Sequence, residues 1–150
     1  MNEKNEKLNF KPIIGLAVVS LLICGLFFPL LVTGIAQVFF PYQANGDIVQ
    51  LNGKDVGSNL ISQSFTLPIF FHPRNDSASG VDPDITLQDA YLQIPQISNA
   101  TGISSGALTN IVSQNKEGTL WIFGSPYVNV LRVNLALIKE YPAIYSNFTG

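Results

Sequence analysis

The sequence predicts an α+β protein: a single N-terminal transmembrane helix followed by a small, compact extracytoplasmic α+β domain. Three observations carry this reading. From Pro12 to Phe40 there is no charged residue, although the chain as a whole is 12% charged. Three lysines, Lys4, Lys7 and Lys11, precede that run, and no Lys or Arg follows it until Lys54. The remaining two thirds of the chain alternates turn signals with short strand-like and helix-like segments.

The apolar run accounts for a mean hydropathy of +0.28, high for a chain with a soluble part. As a helix its 29 residues rise roughly 43 Å at about 1.5 Å each, against about 20 residues needed to cross the hydrocarbon core. Lys and Arg favour the cytoplasmic side, and interspersed acids count for little. The expected organisation is therefore 1–11 cytoplasmic, 12–40 transmembrane and 41–150 outside, in a single-pass cell-membrane protein. Small residues at Gly34-Ile35-Ala36 would suit a signal-peptidase cut, but the apolar stretch before them is longer than a signal's and contains Pro29. Cys24, the only cysteine, excludes an intrachain disulfide and a cysteine metal cluster.

Pro29 removes a backbone donor and is expected to kink the helix near its middle. Thr33 and Gln37 lie four apart, on one face with the small residue Gly34. Gln37 is either hydrated near the outer surface or part of a helix–helix contact, since a carboxamide in hydrocarbon needs a partner. Pro29, Thr33, Gly34 and Gln37 are the candidate transmembrane partner contacts.

Beyond residue 41, Asn45-Gly46 is a turn pair, and Asn52-Gly53 predicts a hairpin. "LISQSFTLPIFF" reads as strand-like, and 72–84 as a loop. Thr86 with Asp89 predicts a helix N-terminus, with a helix through about Ile94; a second helix fits 104–115. "GTLWIFG" reads as a short strand ended by Gly124. "SPYVNVLRVNLALIKEY" fits both periods, and helix is favoured, with Pro126 at its first position.

Composition excludes several functions. From residue 41 on, 5 basic residues face 8 acidic ones, the reverse of a nucleic-acid footprint. No GxxxxGK[ST] phosphate loop occurs. A Ser/His/Asp set can be assembled from Ser77 or Ser79, His72 and Asp82, but all fall in one loop, where such residues mostly serve turns. Asp82-Pro83-Asp84 offers oxygen ligands for a hard cation, or plain turn formation with Asp84 compensating a helix N-terminus. Asn75, Asn99 and Asn147 begin glycosylation sequons. No catalytic or metal site is expected.

Four stretches then match a family pattern in order: "PLLVTGIAQVFFPYQANG" (29–46), "GSNLISQSF" (57–65), "ASGVDPDIT" (78–86) and "GSPYVNVLRVNLAL" (124–137). Over nearly its whole length the chain resembles the KdpC family, the C subunits of Kdp-type potassium-transporting ATPases. The motif residues carried over are Gln63, Phe65, Ser79, Gly80, Asp82, Pro83, Gln93, Gly124, Pro126, Val128, Asn129 and Asn134. The chain departs from the pattern at Asp84, where the family has His, at Gln96, where it has Arg, and in a shortened segment between "FFHPR" and "ASGVDPDIT". The resemblance implies an accessory, non-catalytic subunit in a complex with a channel-like A subunit, a P-type ATPase B subunit and a small F peptide. ATP, Mg and K are used by that complex, and no cofactor is assigned to this chain alone. The family is also described as raising the B subunit's ATP affinity. About a dozen residues are expected inside, so that effect would be indirect. The reading from another class is an independent membrane-anchored module that binds a ligand outside the cell.

Overall fold

A computed structural model describes residues 10–74, 81–118 and 124–148. The chain divides after Asn45 into two compact units.

The first unit is helical: α1 (Phe10–Leu22), a π-helical stretch over Ile23–Phe27, α2 (Phe28–Phe39) and the short α3 (Pro41–Ala44). Phe10–Phe39 is long and apolar enough to cross a membrane, with a mean hydropathy of 2.6 and none of its window buried. The expected disturbance at Pro29 takes the form of a wider turn. Phe28 donates to the Ile23 carbonyl five residues back rather than four. A proline ring clashes with the carbonyl four residues before it, here Gly25, which the π-turn contains. The helix ends where Phe40, preceding Pro41, leaves helical geometry at φ −136°.

The second unit is α+β. β1 (Ile48–Leu51) and β2 (Lys54–Ser58) form the expected antiparallel hairpin. Asn52 and Gly53 both take positive φ at its turn, 51° and 78°, which suits an Asn-Gly pair. β3 (Asp84–Thr86), β5 (Tyr127–Asn129) and β4 (Lys116–Glu117) make an antiparallel sheet in the order β3-β5-β4. Three helices pack with it: α4 (Leu87–Thr101), α5 (Ser105–Gln114) and α6 (Val130–Glu140). The core joins Phe71, Ile85, Leu108, Val112, Val128, Val133, Leu137 and Tyr145. The Tyr145 hydroxyl donates to the Ile69 carbonyl at 2.8 Å, and burial pushes its pKa up to about 12.

α4 opens where Thr86 and Asp89 predict. The Asp89 N–H donates to Thr86 Oγ1 at 3.1 Å, and that hydroxyl donates to the Asp89 carboxylate at 2.8 Å. It does not end near Ile94 but runs through Pro95 to an αL stop at Gly102, φ 76°. Ala90, Ile94 and Ile97 continue one buried stripe, while Pro95 lies on the exposed side, where water can satisfy the carbonyl that the proline leaves unpaired. Asp84 is likewise no first-turn acid: it lies in β3, and Asp89 holds that place.

Pro126 is not the first helical residue. Tyr127–Asn129 is a strand, with Val128 opposite Ile85, and α6 begins after it. Asn129 decides the switch, its side-chain oxygen accepting from the Arg132 N–H at 3.2 Å as an N-cap. The "LISQSFTLPIFF" segment is not a strand either; local turns and the Ser62 N–H donating to the Val81 carbonyl serve parts of its backbone, and a side chain clamps its last residue, Phe71, as described below. The strand expected at "GTLWIFG" falls on 119–123, outside the described residues.

Gly124 ends that stretch at φ +94°, and a Cβ there would stand 2.5 Å from the Gly118 carbonyl oxygen. Both the left-handed backbone and the clash penalise a side chain. Gly124→Ala is expected to destabilise the domain by about 2 kcal/mol, read as an earlier midpoint in urea unfolding of the full chain in detergent.

Candidate functional site

The polar residues of the family pattern converge on backbone. Asn134, on α6, is fully buried; it accepts from the Phe71 N–H at 2.8 Å and donates to the Phe71 carbonyl at 2.9 Å. Gln93, on α4, treats the next residue the same way, accepting from the His72 N–H at 2.7 Å and donating to its carbonyl at 3.2 Å. Two carboxamides thus replace the ladder that a neighbouring strand would supply. The buried Phe70-Phe71 pair is held against the helices without sheet pairing.

The clamped segment borders a polar cavity of about 520 Å³ lined by Gln63, Phe65, Thr66, His72 and Arg74, among others. Gln63 donates locally to the Ile61 carbonyl at 2.9 Å, and its side chain fills the space that a Cβ on Gly57 would need, 2.9 Å away. Phe65 meets Phe70 with ring centroids 5.3 Å apart. His72 Nε2 lies 3.0 Å from the Leu67 carbonyl oxygen. Phe65 also borders an apolar cavity of about 320 Å³ lined by Leu51, Leu67, Leu131, Ile138 and Phe148.

A third cluster surrounds Asn129. Its Nδ2 donates to the Asn59 carbonyl at 2.9 Å and to the Asp84 carboxylate at 3.0 Å, so one residue caps α6 and ties three segments together. Asp82 Oδ1 accepts from the Asp84 N–H at 3.1 Å, and the Pro83 carbonyl accepts from the Val130 N–H at 2.9 Å. Asp82-Pro83-Asp84 is therefore a turn bound to the start of α6. Among the described residues no three His, Cys, Asp or Glu side chains converge to hold a metal. Arg132 pairs with Glu117, and with Asp47 at 3.8 Å. Sequence reasoning missed this ion pairing, which joins residues distant in the chain and leaves no local signal.

Burial raises the Asp84 pKa, Asp82 and Glu117 add to the rise, and the Asn129 hydrogen bond and Arg132 oppose it. With the folded pKa above the ordinary 3.8, the fold binds more protons than the unfolded chain between the two values. The stability this contributes is complete below 3.8 and is lost as pH rises through the folded value. Asp84→Asn keeps an acceptor for Asn129 without the charge. It is expected to raise the urea midpoint at pH 7 and to remove the part of the stability that is lost as pH rises from 3.8 through the folded Asp84 value, seen in unfolding curves at several pH values.

Ser77, Ser79, Gly80 and Asn75 lie outside the described residues. Val128 is buried in the sheet, and Pro126 immediately precedes β5. Pro29, Thr33 and Gly34 lie on α2, and a Cβ on Gly34 would meet nothing of the chain within 4 Å. Gln37 is engaged within its own unit. Its Nε2 donates to Asn45 Oδ1 at 3.3 Å, and Asn45 Nδ2 donates to Gln37 Oε1 at 3.1 Å.

Comparison with known proteins places these features in one family. The model of the family described as "KdpC: K+-transporting ATPase, c chain" matches residues 10–77 and 75–139. The chain is similar to the potassium-transporting ATPase KdpC subunit of Caldanaerobacter subterraneus subsp. tengcongensis, 31% identical over 87% of this chain and 94% of the relative. It is also similar to that of Geobacter sulfurreducens, 32% identical over 88% and 98%, and to KdpC subunit 2 of Staphylococcus aureus, 29% identical over 84% and 96%. The first two alignments run to 182 and 185 positions against 150 residues here. The relatives therefore carry residues with no counterpart in this chain, and the family match is broken at 75–77. The chain belongs to the KdpC family, the c chain of K+-transporting ATPases.

Proposed function

We propose that this chain is an accessory, non-catalytic subunit of an ATP-driven potassium uptake complex. It is held in the cell membrane by Phe10–Phe39 with its domain outside, and it supports assembly with a channel-like A subunit and a P-type ATPase B subunit. By the family resemblance, a small F peptide belongs to the same complex. The observation that carries this reading is the KdpC family match over residues 10–77 and 75–139, with the apolar helix Phe10–Phe39 inside it, and Gly34 adds to it. A helix-interior glycine costs about 1 kcal/mol relative to alanine, yet the chain leaves open space where its Cβ would stand. Gly34, like Gly15 on the same span, leaves room for a neighbouring helix to come close, which is what small residues provide in membranes.

Pro29, Thr33 and Gly34 are the proposed contacts with partner helices, with Gln37 beside them. The motif residues Gln93, Asn129 and Asn134 act as scaffold, since each is spent on internal hydrogen bonds. The orientation rests on Lys4, Lys7 and Lys11. With the domain outside, any effect on the B subunit's ATP affinity or on ion entry passes through the helix or the assembly. ATP, Mg and K belong to the complex rather than to this chain.

Deleting the chain is expected to abolish recovery of the intact complex in mild detergent together with potassium-stimulated ATP hydrolysis. Full assembly and activity without it would overturn the reading. The apolar cavity beside Phe65 favours a second one, a membrane-anchored ligand-binding module. That reading requires the full chain to bind an apolar ligand with no other subunit present.

A further inference from the structure

The end of α2 combines two features that a plain anchor does not need. Its polar side chains are turned onto one another. Gln37 and Asn45 exchange a reciprocal pair of amide hydrogen bonds, and Asn45 Nδ2 also donates to the Pro41 carbonyl at 2.6 Å. The Asn45 N–H is shared by the carbonyls of Pro41 and Tyr42, both at 3.2 Å. The same eight-residue interval presents Val38, Phe39, Phe40 and Tyr42 outward at 74%, 69%, 59% and 75% exposure. No charged residue occurs between Lys11 and Asp47.

We infer that Val38–Tyr42 is a lipid-facing collar seated at the polar–apolar boundary of the bilayer, and that the Gln37–Asn45 amide pair is the lock that holds it there. The occupant follows from continuity: the collar extends an apolar helix, Phe10–Phe39, none of whose side chains is buried. Aromatic rings with a polar tip, such as Tyr42, settle at that boundary. A glutamine one turn deeper would oppose this seat unless its amide were satisfied. Asn45 satisfies it from the same chain, so no neighbouring helix is required for Gln37 to lie at this depth. Away from bulk water such a pair has few competitors. The inference rests on the reading of this helix as a membrane span, but not on assembly with other subunits.

The test uses the full chain, with Cys24→Ser, alone in phosphatidylcholine vesicles. A nitroxide is attached through Tyr42→Cys, and a second chain carries it through Asp55→Cys, in the exposed part of β2, as the water-facing reference. Collision with oxygen, which partitions into lipid, is compared with collision with a water-soluble nickel chelate. The label at 42 is expected to favour oxygen relative to the reference. Adding Asn45→Ala, or separately Gln37→Leu, is expected to increase a nickel-accessible population about threefold to tenfold, the effect of losing a membrane amide pair. Nickel accessibility at 42 equal to that at 55 would overturn the collar. Protection that arises only when the other subunits are present would overturn it in favour of a protein contact. A collar that holds its depth in both Asn45→Ala and Gln37→Leu would overturn the lock. Failure of these labels would leave co-purification with the complex unchanged, whereas failure of the assembly reading would leave the label depths unchanged.

Discussion

Asn134→Leu is expected to lower the unfolding free energy of the α+β unit by about 2–5 kcal/mol, because it strands two buried backbone groups at once. Asn134 is fully buried, and its carboxamide is a hydrogen-bonding partner for both the N–H and the carbonyl of Phe71. Each orphaned buried group costs about 1–3 kcal/mol, and leucine, similar in volume, removes the partners without opening a large cavity. Against a total stability of about 5–15 kcal/mol for a domain, the loss is large. Gln93→Leu makes the comparison. It removes the equivalent pair at His72, but the site is half-buried, so water can replace much of what is lost, and the expected cost is about 1 kcal/mol. Urea unfolding followed by circular dichroism, on the full chain in detergent, measures both. A change below about 0.5 kcal/mol for Asn134→Leu, within the range of ordinary surface substitutions, would show that the clamp does not hold the 70–73 segment.

This clamp marks the limit of what the sequence made legible. The hairpin at Asn52-Gly53, the start of α4 at Thr86 and the apolar span were readable because each depends on local chemistry: a backbone that Asn-Gly tolerates, a hydroxyl that caps, a run with no charge. The errors came where distant residues decide. "LISQSFTLPIFF" has strand composition, but at its end Phe71 and the following His72 are paired by Asn134 and Gln93, which lie 63 and 21 residues away. Pro95 ends a helix by propensity, yet the buried stripe of Ala90, Ile94 and Ile97 carries α4 past it. At 126–130 both periods were present because both elements are present, and Asn129 marks the change from strand to helix.

The candidate site was legible in a different way. The family pattern picked out Gln93, Asn129 and Asn134 as residues that matter, but only geometry gives them their work, which is holding backbone. Arg132 went unnoticed because an ion pair with Glu117 and Asp47 depends on β4 and the start of the hairpin reaching α6. For Gln37 the sequence offers hydration or a contact with another helix, whereas its amide is bonded to Asn45, eight residues on in the same chain. Carboxamides that bridge turns leave no periodic trace in sequence.

Replacing residues 13–40 with a featureless Leu/Ala helix is the second large effect expected, and it separates anchoring from recognition. The substitute keeps the length and apolarity that membrane residence requires, so the protein should remain in the membrane fraction. What it removes is the π-turn before Pro29, the gap at Gly34, the Thr33 hydroxyl and the Gln37 amide. Packing and hydrogen-bond contributions between membrane helices are small singly. Together a few such contacts amount to roughly 2 kcal/mol, or about a thirtyfold drop in association. The measurement is recovery of the other subunits with a tagged chain in mild detergent. Gly34→Leu alone sharpens the test, because the chain itself has room for the side chain. Any loss of association then reports a clash with a partner rather than a damaged helix. If the generic helix and Gly34→Leu both recover the complex as well as the native chain, residues 13–40 are an anchor only. In that case the contacts that recruit the other subunits lie in the α+β unit.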